Sequence, residues 1–132
     1  MKYLLDSHVW LWAFGAEPGK IGPRTLEILE SGDSELYLSA VTSWEICIKW
    51  ALGRIELKER PDQLVWHSLK ENRLIPLPVT HEQTWLVSDL VAHHSDPFDR
   101  LLIAQAIREE LVLITADAQI RPYPVSIQWA LD

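Results

Sequence analysis

Cysteine is nearly missing. Cys47 stands alone among 132 residues, which excludes an internal disulfide and a Cys-rich zinc site. Basic residues are scarce too: 12 Lys and Arg face 19 Asp and Glu, for a net charge of −7. That balance argues against binding nucleic acid through a broad basic face. It suits a pocket of gathered acids that needs cations, although solubility alone would also account for it. No apolar run is long enough to span a bilayer, and no leader-like n-region and h-region opens the chain. A soluble cytoplasmic protein without membrane contact is therefore expected. Internal repeats, low-complexity tracts and long linkers are also lacking, so residues 1–132 are read as one domain.

What is present is ordinary for a globular chain, with 48% hydrophobic and 23% charged residues. Seven Trp are unusual and suggest broad apolar contact surfaces. Along the chain, "KYLLD" reads as a buried strand ending at Asp6, and "SHVWLWAF" as a helix that Ser7 is placed to cap. "EPGKIGP" is a loop, and "PRTLEILESG" an amphipathic helix with Pro first and Gly after. "ELYLSA" alternates as a strand, and "VTSWEICIKWALGR" is a helix closed by Gly53. A helix through "PDQLVWHSLKEN" leads into the short strand "LIPL", and "THEQTWLVSDL" is helical. After the loop "VAHHSD" comes the helix "PFDRLLIAQAIREE". The strand "LVLIT" then runs into "ADAQI", and "VSIQW" is a last short strand. Apolar strands alternating with helices predict a small parallel sheet flanked by helices on both faces, a three-layer α/β/α fold. In such sheets the chemistry gathers beyond the carboxyl ends of the strands.

Four carboxylates stand out against that frame. Asp6 ends the first strand, and Asp117 directly follows "LVLIT", so both belong to one sheet edge. Either one also fits a plain turn or cap, and Thr115 fits a local hydrogen bond there. Glu45 lies mid-helix beside Trp44, Ile48 and Leu52, with Lys49 four residues on as an ordinary surface ion pair. Asp99 is the odd one. At 100° per residue it falls inside the apolar arc of Leu102, Ile103, Ala106 and Ile107. In "DPFD", Asp96 suits the N-cap, Pro97 the first helical position and Asp99 the third, where the helix dipole favours negative charge. Capping explains Asp96 well and Asp99 only in part.

Taken together, four like charges converging on one edge would repel unless a cation neutralised them. Oxygen-only ligands favour Mg²⁺, with Mn²⁺ as the alternative, over zinc. Such a site polarises a phosphoryl oxygen and lowers the pKa of water, which makes phosphodiester hydrolysis the natural chemistry. His93 and His94 are adjacent, a spacing that does not easily place both on one metal, and His8, His67 and His81 are scattered. A His-based zinc hydrolase is not expected.

The stretches "LLDSHVWLW", "LSAVTSWEICIKWALGR", "DPFDRLLIAQA" and "LVLITADAQI", in this order, resemble the PIN-domain ribonucleases. Within them the likeness is to the VapC-like toxins of type II toxin–antitoxin pairs. The resemblance implies a metal-dependent endoribonuclease that hydrolyses RNA with a metal-activated water. It implies that Asp6 and Asp99 are the principal metal ligands, that Glu45 completes the pocket, and that Asp117 is the fourth acid. It also implies a homodimer, inhibition by a cognate antitoxin, and DNA contact only through that antitoxin. Trp10, Trp12, Trp44 or Trp50 would then line grooves for a dimer mate or antitoxin, if they do not pack in the core. A housekeeping RNA-processing nuclease and a non-catalytic binding module of the same fold are the alternatives. A receiver or dehalogenase-like domain is disfavoured, since neither a second acid beside Asp6 nor one at His8 is present.

Overall fold

The computed structural model describes residues 1–15 and 20–132. The strands are β1 (Lys2–Leu5), β2 (Glu35–Ser39), β3 (Ile75–Leu77), β4 (Val112–Thr115) and β5 (Ile127–Trp129). The α-helices are α1 (Ser7–Phe14), α2 (Pro23–Glu30), α3 (Ala40–Ala51), α4 (Pro61–Glu71), α5 (His81–Leu86) and α6 (Pro97–Arg108). Short 3₁₀ turns follow at Val87–Asp89 and Ala118–Ile120. Residues 17–19 of the expected "EPGKIGP" loop lie outside the described residues. None of the described helices is long and apolar enough to cross a membrane.

All strands pair in parallel, in the order β3-β2-β1-β4-β5. The expected parallel α/β sheet is present. Strand side chains alternate between faces, and this sorts the core into two layers. Tyr3, Leu5, Leu36, Leu38 and Ile114 pack with Val9 and Trp10 of α1, Ile46 of α3 and Leu64 of α4. Leu4, Leu77 and Leu113 pack with Leu102, Ile103 and Ala106 of α6. Each buried Leu, Ile or Val among them contributes roughly 1.5–3 kcal/mol relative to exposure.

Side-chain caps open α1, α3, α5 and α6, while α2 and α4 begin on a Pro without one. Ser39 accepts from the Val41 N–H at 3.0 Å to open α3, and Thr80 with Gln83 forms a reciprocal capping box on α5. Ser7, expected as the cap of α1, is instead its first helical residue. Asp6 is the N-cap, its Oδ1 accepting from the Ser7 N–H at 2.6 Å. A carboxylate is the stronger acceptor for helix N–H groups, and its capping frees the Ser7 hydroxyl for other use. Gly53 carries φ +71 just beyond α3, the left-handed conformation that suits glycine at a helix end.

Candidate functional site

The sheet order turns back at β1. The chain first builds outward through β2 and β3, then returns to lay β4 on the other side of β1. Such a reversal opens a crevice at the carboxyl ends of the two strands. Asp6 follows β1 directly, with its N–H donating to the Ile114 carbonyl at 3.0 Å, and Asp117 lies two residues past β4. Glu45 reaches the same edge from α3, and Asp99 from the first turn of α6.

Hydrogen bonds link Asp6, Glu45 and Asp117 through Ser7 and Thr115. The Thr115 hydroxyl donates to Asp6 Oδ2 at 2.7 Å and accepts from the Asp117 N–H at 3.0 Å. Ser7 Oγ donates to Glu45 Oε1 at 2.8 Å, so the 3.2 Å contact with Thr42 Oγ1 has Thr42 as donor. Lys49 Nζ holds Glu45 Oε2 at 2.7 Å. The i,i+4 ion pair is therefore real, yet the Glu45 side chain is only 4% exposed and also faces Ser7. Asp117 Oδ1 caps the following 3₁₀ turn by accepting from the Gln119 N–H at 2.9 Å. Asp96 caps α6 as expected, its Oδ1 accepting from the Phe98 N–H at 2.9 Å.

Between Asp99 and Asp117 sits His94, which sequence reasoning had set aside. Its Nε2 lies 3.0 Å from Asp99 Oδ2 and 2.8 Å from Asp117 Oδ2. Its Nδ1 accepts from the Asp96 N–H at 3.2 Å, so the ring proton is on Nε2, which donates to Asp117. One ligand atom from each of His94, Asp99 and Asp117 lies within 4.8 Å of the others. The available signal was the position of His94 two residues before the N-cap Asp96, where a side chain can fold back on the helix start. Of the other histidines, exposed His8 lies beside Asp6, His93 packs edge-on against Tyr123, His81 is exposed, and His67 pairs with Glu59 at 2.8 Å.

The electrostatics follow from burial. The Asp99 carboxyl is pushed up to about 8, first by desolvation and then by the charges of Asp6, Asp96, Glu45 and Asp117. The Asp6 carboxyl is also raised, again chiefly by burial. The Thr115 hydroxyl, the His8 charge and the Ser7 N–H pull it the other way. These acids resist holding their full negative charge in the crevice. A hard divalent cation would relieve that cost, and the carboxylate oxygens have the right chemistry for Mg²⁺ or Mn²⁺.

The segment that carries His94 is clamped from below. Arg100 donates to the carbonyls of Val87 (3.1 Å), Leu90 (3.2 Å), Val91 (3.0 Å) and His94 (3.4 Å), and to the Tyr123 hydroxyl (3.2 Å). That hydroxyl in turn accepts from the His94 N–H at 2.8 Å. Arg100→Met, which keeps the stem and removes the donors, is expected to cost about 2 kcal/mol or more. Thermal denaturation reads this directly, and an unchanged melting temperature would show that the clamp contributes nothing.

Trp10 is 0% exposed, with its Nε1 donating to Ser68 Oγ at 3.1 Å, and so cannot line a partner groove. Trp44, at 59%, and Trp50, at 37%, are exposed, and Trp12 is half-buried.

A family model described as PIN domain matches residues 3–125. Ribonuclease VapC22 of Mycobacterium tuberculosis (strain ATCC 25618 / H37Rv) is 28% identical over 129 residues, covering 94% of this chain and 96% of the relative. Among solved structures, VapBC2 from Rickettsia felis, bound to a DNA fragment from their promoter, superposes with a TM-score of 0.72 at 17% identity. That match covers 97% of this chain and 98% of the other. FitAcB from Neisseria gonorrhoeae gives a TM-score of 0.66 at 20% identity, covering 98% of each chain. At those identities the structural likeness shows a shared fold.

Proposed function

Because this chain belongs to the PIN domain family, we propose that it is a metal-dependent endoribonuclease and the toxin of a toxin–antitoxin pair. The observation that carries this reading is the mutually repelling set of buried Asp6 and Glu45 with half-buried Asp99 and Asp117 at the β1/β4 crevice, with Asp99 pushed up to about 8. Asp6 and Asp99 are the principal ligands for Mg²⁺ or Mn²⁺, with Glu45 and Asp117 completing the pocket. Bound there, the ion would supply the charge that polarises a phosphoryl oxygen and lowers the pKa of the attacking water. The protein's own work is to hold the acids in place. Ser7 and Thr115 fix both oxygens of Asp6, while Ser7 and Lys49 fix those of Glu45.

A cavity of about 280 Å³, lined by Asp6, His8, Trp12, Ala116 and Asp117, opens beside the acids. It shares His8 and Trp12 with a larger one of about 560 Å³ that Arg54 also lines. An aromatic wall with a guanidinium suits an unpaired RNA strand, whose bases stack on rings while its phosphates seek local cations. Local contacts of this kind supply what a net charge of −7 denies to the surface as a whole. The exposed Trp44, Trp66 and Trp85 offer apolar area for an antitoxin and a second copy of the chain. DNA contact falls to the antitoxin, and the working compartment is the cytoplasm.

The direct test is incubation of the purified protein with total cellular RNA and Mg²⁺ or Mn²⁺. Discrete fragments are expected, together with growth arrest on expression that a small neighbouring gene product relieves. RNA left intact with either ion would remove the nuclease reading.

A further inference from the structure

His94 lies outside the four acids, yet it touches two of them. Its side chain is 9% exposed, and its peptide is pinned by the Tyr123 hydroxyl and by Arg100. The Asp96 N–H occupies Nδ1. That contact keeps the proton on Nε2 and leaves the nitrogen facing the acids without a lone pair for a metal. That N–H donates to Asp117 Oδ2 at 2.8 Å, and the same nitrogen lies 3.0 Å from Asp99 Oδ2. Gln119 holds the remaining oxygen of Asp117. Among the described residues no hydrogen-bond donor reaches Asp99 Oδ1, so that oxygen is left for a cation.

Resting on the nuclease reading above, we infer that His94 is a positioning residue. Its Nε2–H holds Asp117, and the ring packed against Asp99 Oδ2 leaves Asp99 Oδ1 to face the divalent ion, without His94 itself becoming a ligand. An imidazole that donates to a metal-binding carboxylate sets the orientation of that carboxylate, and loss of such a partner typically weakens metal affinity about 10- to 100-fold.

Mn²⁺ binding to the full-length protein, followed by loss of the free-ion EPR signal, tests this without any turnover. The variant His94→Phe keeps the ring's bulk and removes the N–H, whereas His94→Gln keeps an N–H at the same reach. His94→Ala replaces the Phe variant if that one fails to fold by circular dichroism. Relative to wild type, the Phe variant is expected to bind Mn²⁺ about 10- to 100-fold more weakly, and the Gln variant to recover most of that loss. Electron spin-echo modulation of the wild-type complex should show no directly coordinated ¹⁴N. Unchanged or tighter binding in the Phe variant would overturn the positioning role, as would a coordinated ¹⁴N that the substitution removes. Asp99→Asn serves as the control. If wild type binds Mn²⁺ and Asp99→Asn does not, a null result at His94 sinks only this inference. If wild type binds no Mn²⁺ at all, the nuclease reading falls with it.

Discussion

Asp99→Asn is expected to give a protein that no longer cuts RNA and yet melts at a higher temperature than its parent in EDTA. The folded carboxyl sits at about 8, against an ordinary value of 3.8, because burial and its acidic neighbours oppose ionisation. A carboxyl raised on folding contributes fully to stability below its unfolded pKa, and that contribution is lost as the pH climbs through about 8. Near neutrality the unfolded chain ionises freely while the folded one does not, so the acid costs stability there. Asparagine keeps the shape and has no charge to suppress. The gain in metal-free protein at neutral pH is on the order of 2–4 kcal/mol, which is several degrees of melting temperature for a domain of this size. Removing a principal ligand should meanwhile reduce cleavage by about a thousandfold or more, a loss of roughly 4 kcal/mol of transition-state stabilisation. Scanning calorimetry and an RNA cleavage assay on the same preparation check both halves. An unchanged or lower melting temperature would contradict the electrostatic account, and retained cleavage would contradict the role given to Asp99.

Chelation is expected to be equally severe. EDTA should abolish cleavage, and Mg²⁺ or Mn²⁺ should restore it in a strongly pH-dependent way. Below about pH 8 the ion must displace the proton on Asp99. Apparent affinity should therefore fall about tenfold for each pH unit lowered, and binding should release close to one proton. Isothermal titration in buffers of different ionisation enthalpy counts that proton. Affinity that stays flat between about pH 6 and 8 would mean that Asp99 is already ionised before the ion arrives.

The elements and half the site were legible in the residues. Short apolar runs bounded by Gly, Pro and capping residues place β1, β2, α3 and α6 nearly to the residue. Asp6 and Asp117 could be assigned to one edge because strand ends in a parallel sheet share a direction. Ser7 was misread for a local reason, since a sequence pattern offers two caps and only the fold chooses between them. His94 was missed for a distant one. Its partner Asp117 is 23 residues away, and the approach depends on a loop shape set by the Arg100 clamp. Trp10 and Gln105 were equally unreadable. Whether a large or polar side chain can be buried depends on finding Ser68, or Ser39 and Gln83, across the core.

For the toxin proposed above, the pairing of β1 with β4 also sets when the molecule would become hazardous. Asp6 and Thr115 are bonded across 109 residues of chain, and parallel contacts at such separation form late, after the intervening loops have closed. A ribosome still short of β4 carries a polypeptide in which the first acid has no anchor and the fourth has not been made. On the proposed reading, the cell that translates it would be spared until that strand emerges, and an inhibitor synthesised at the same moment would have that interval in which to be ready.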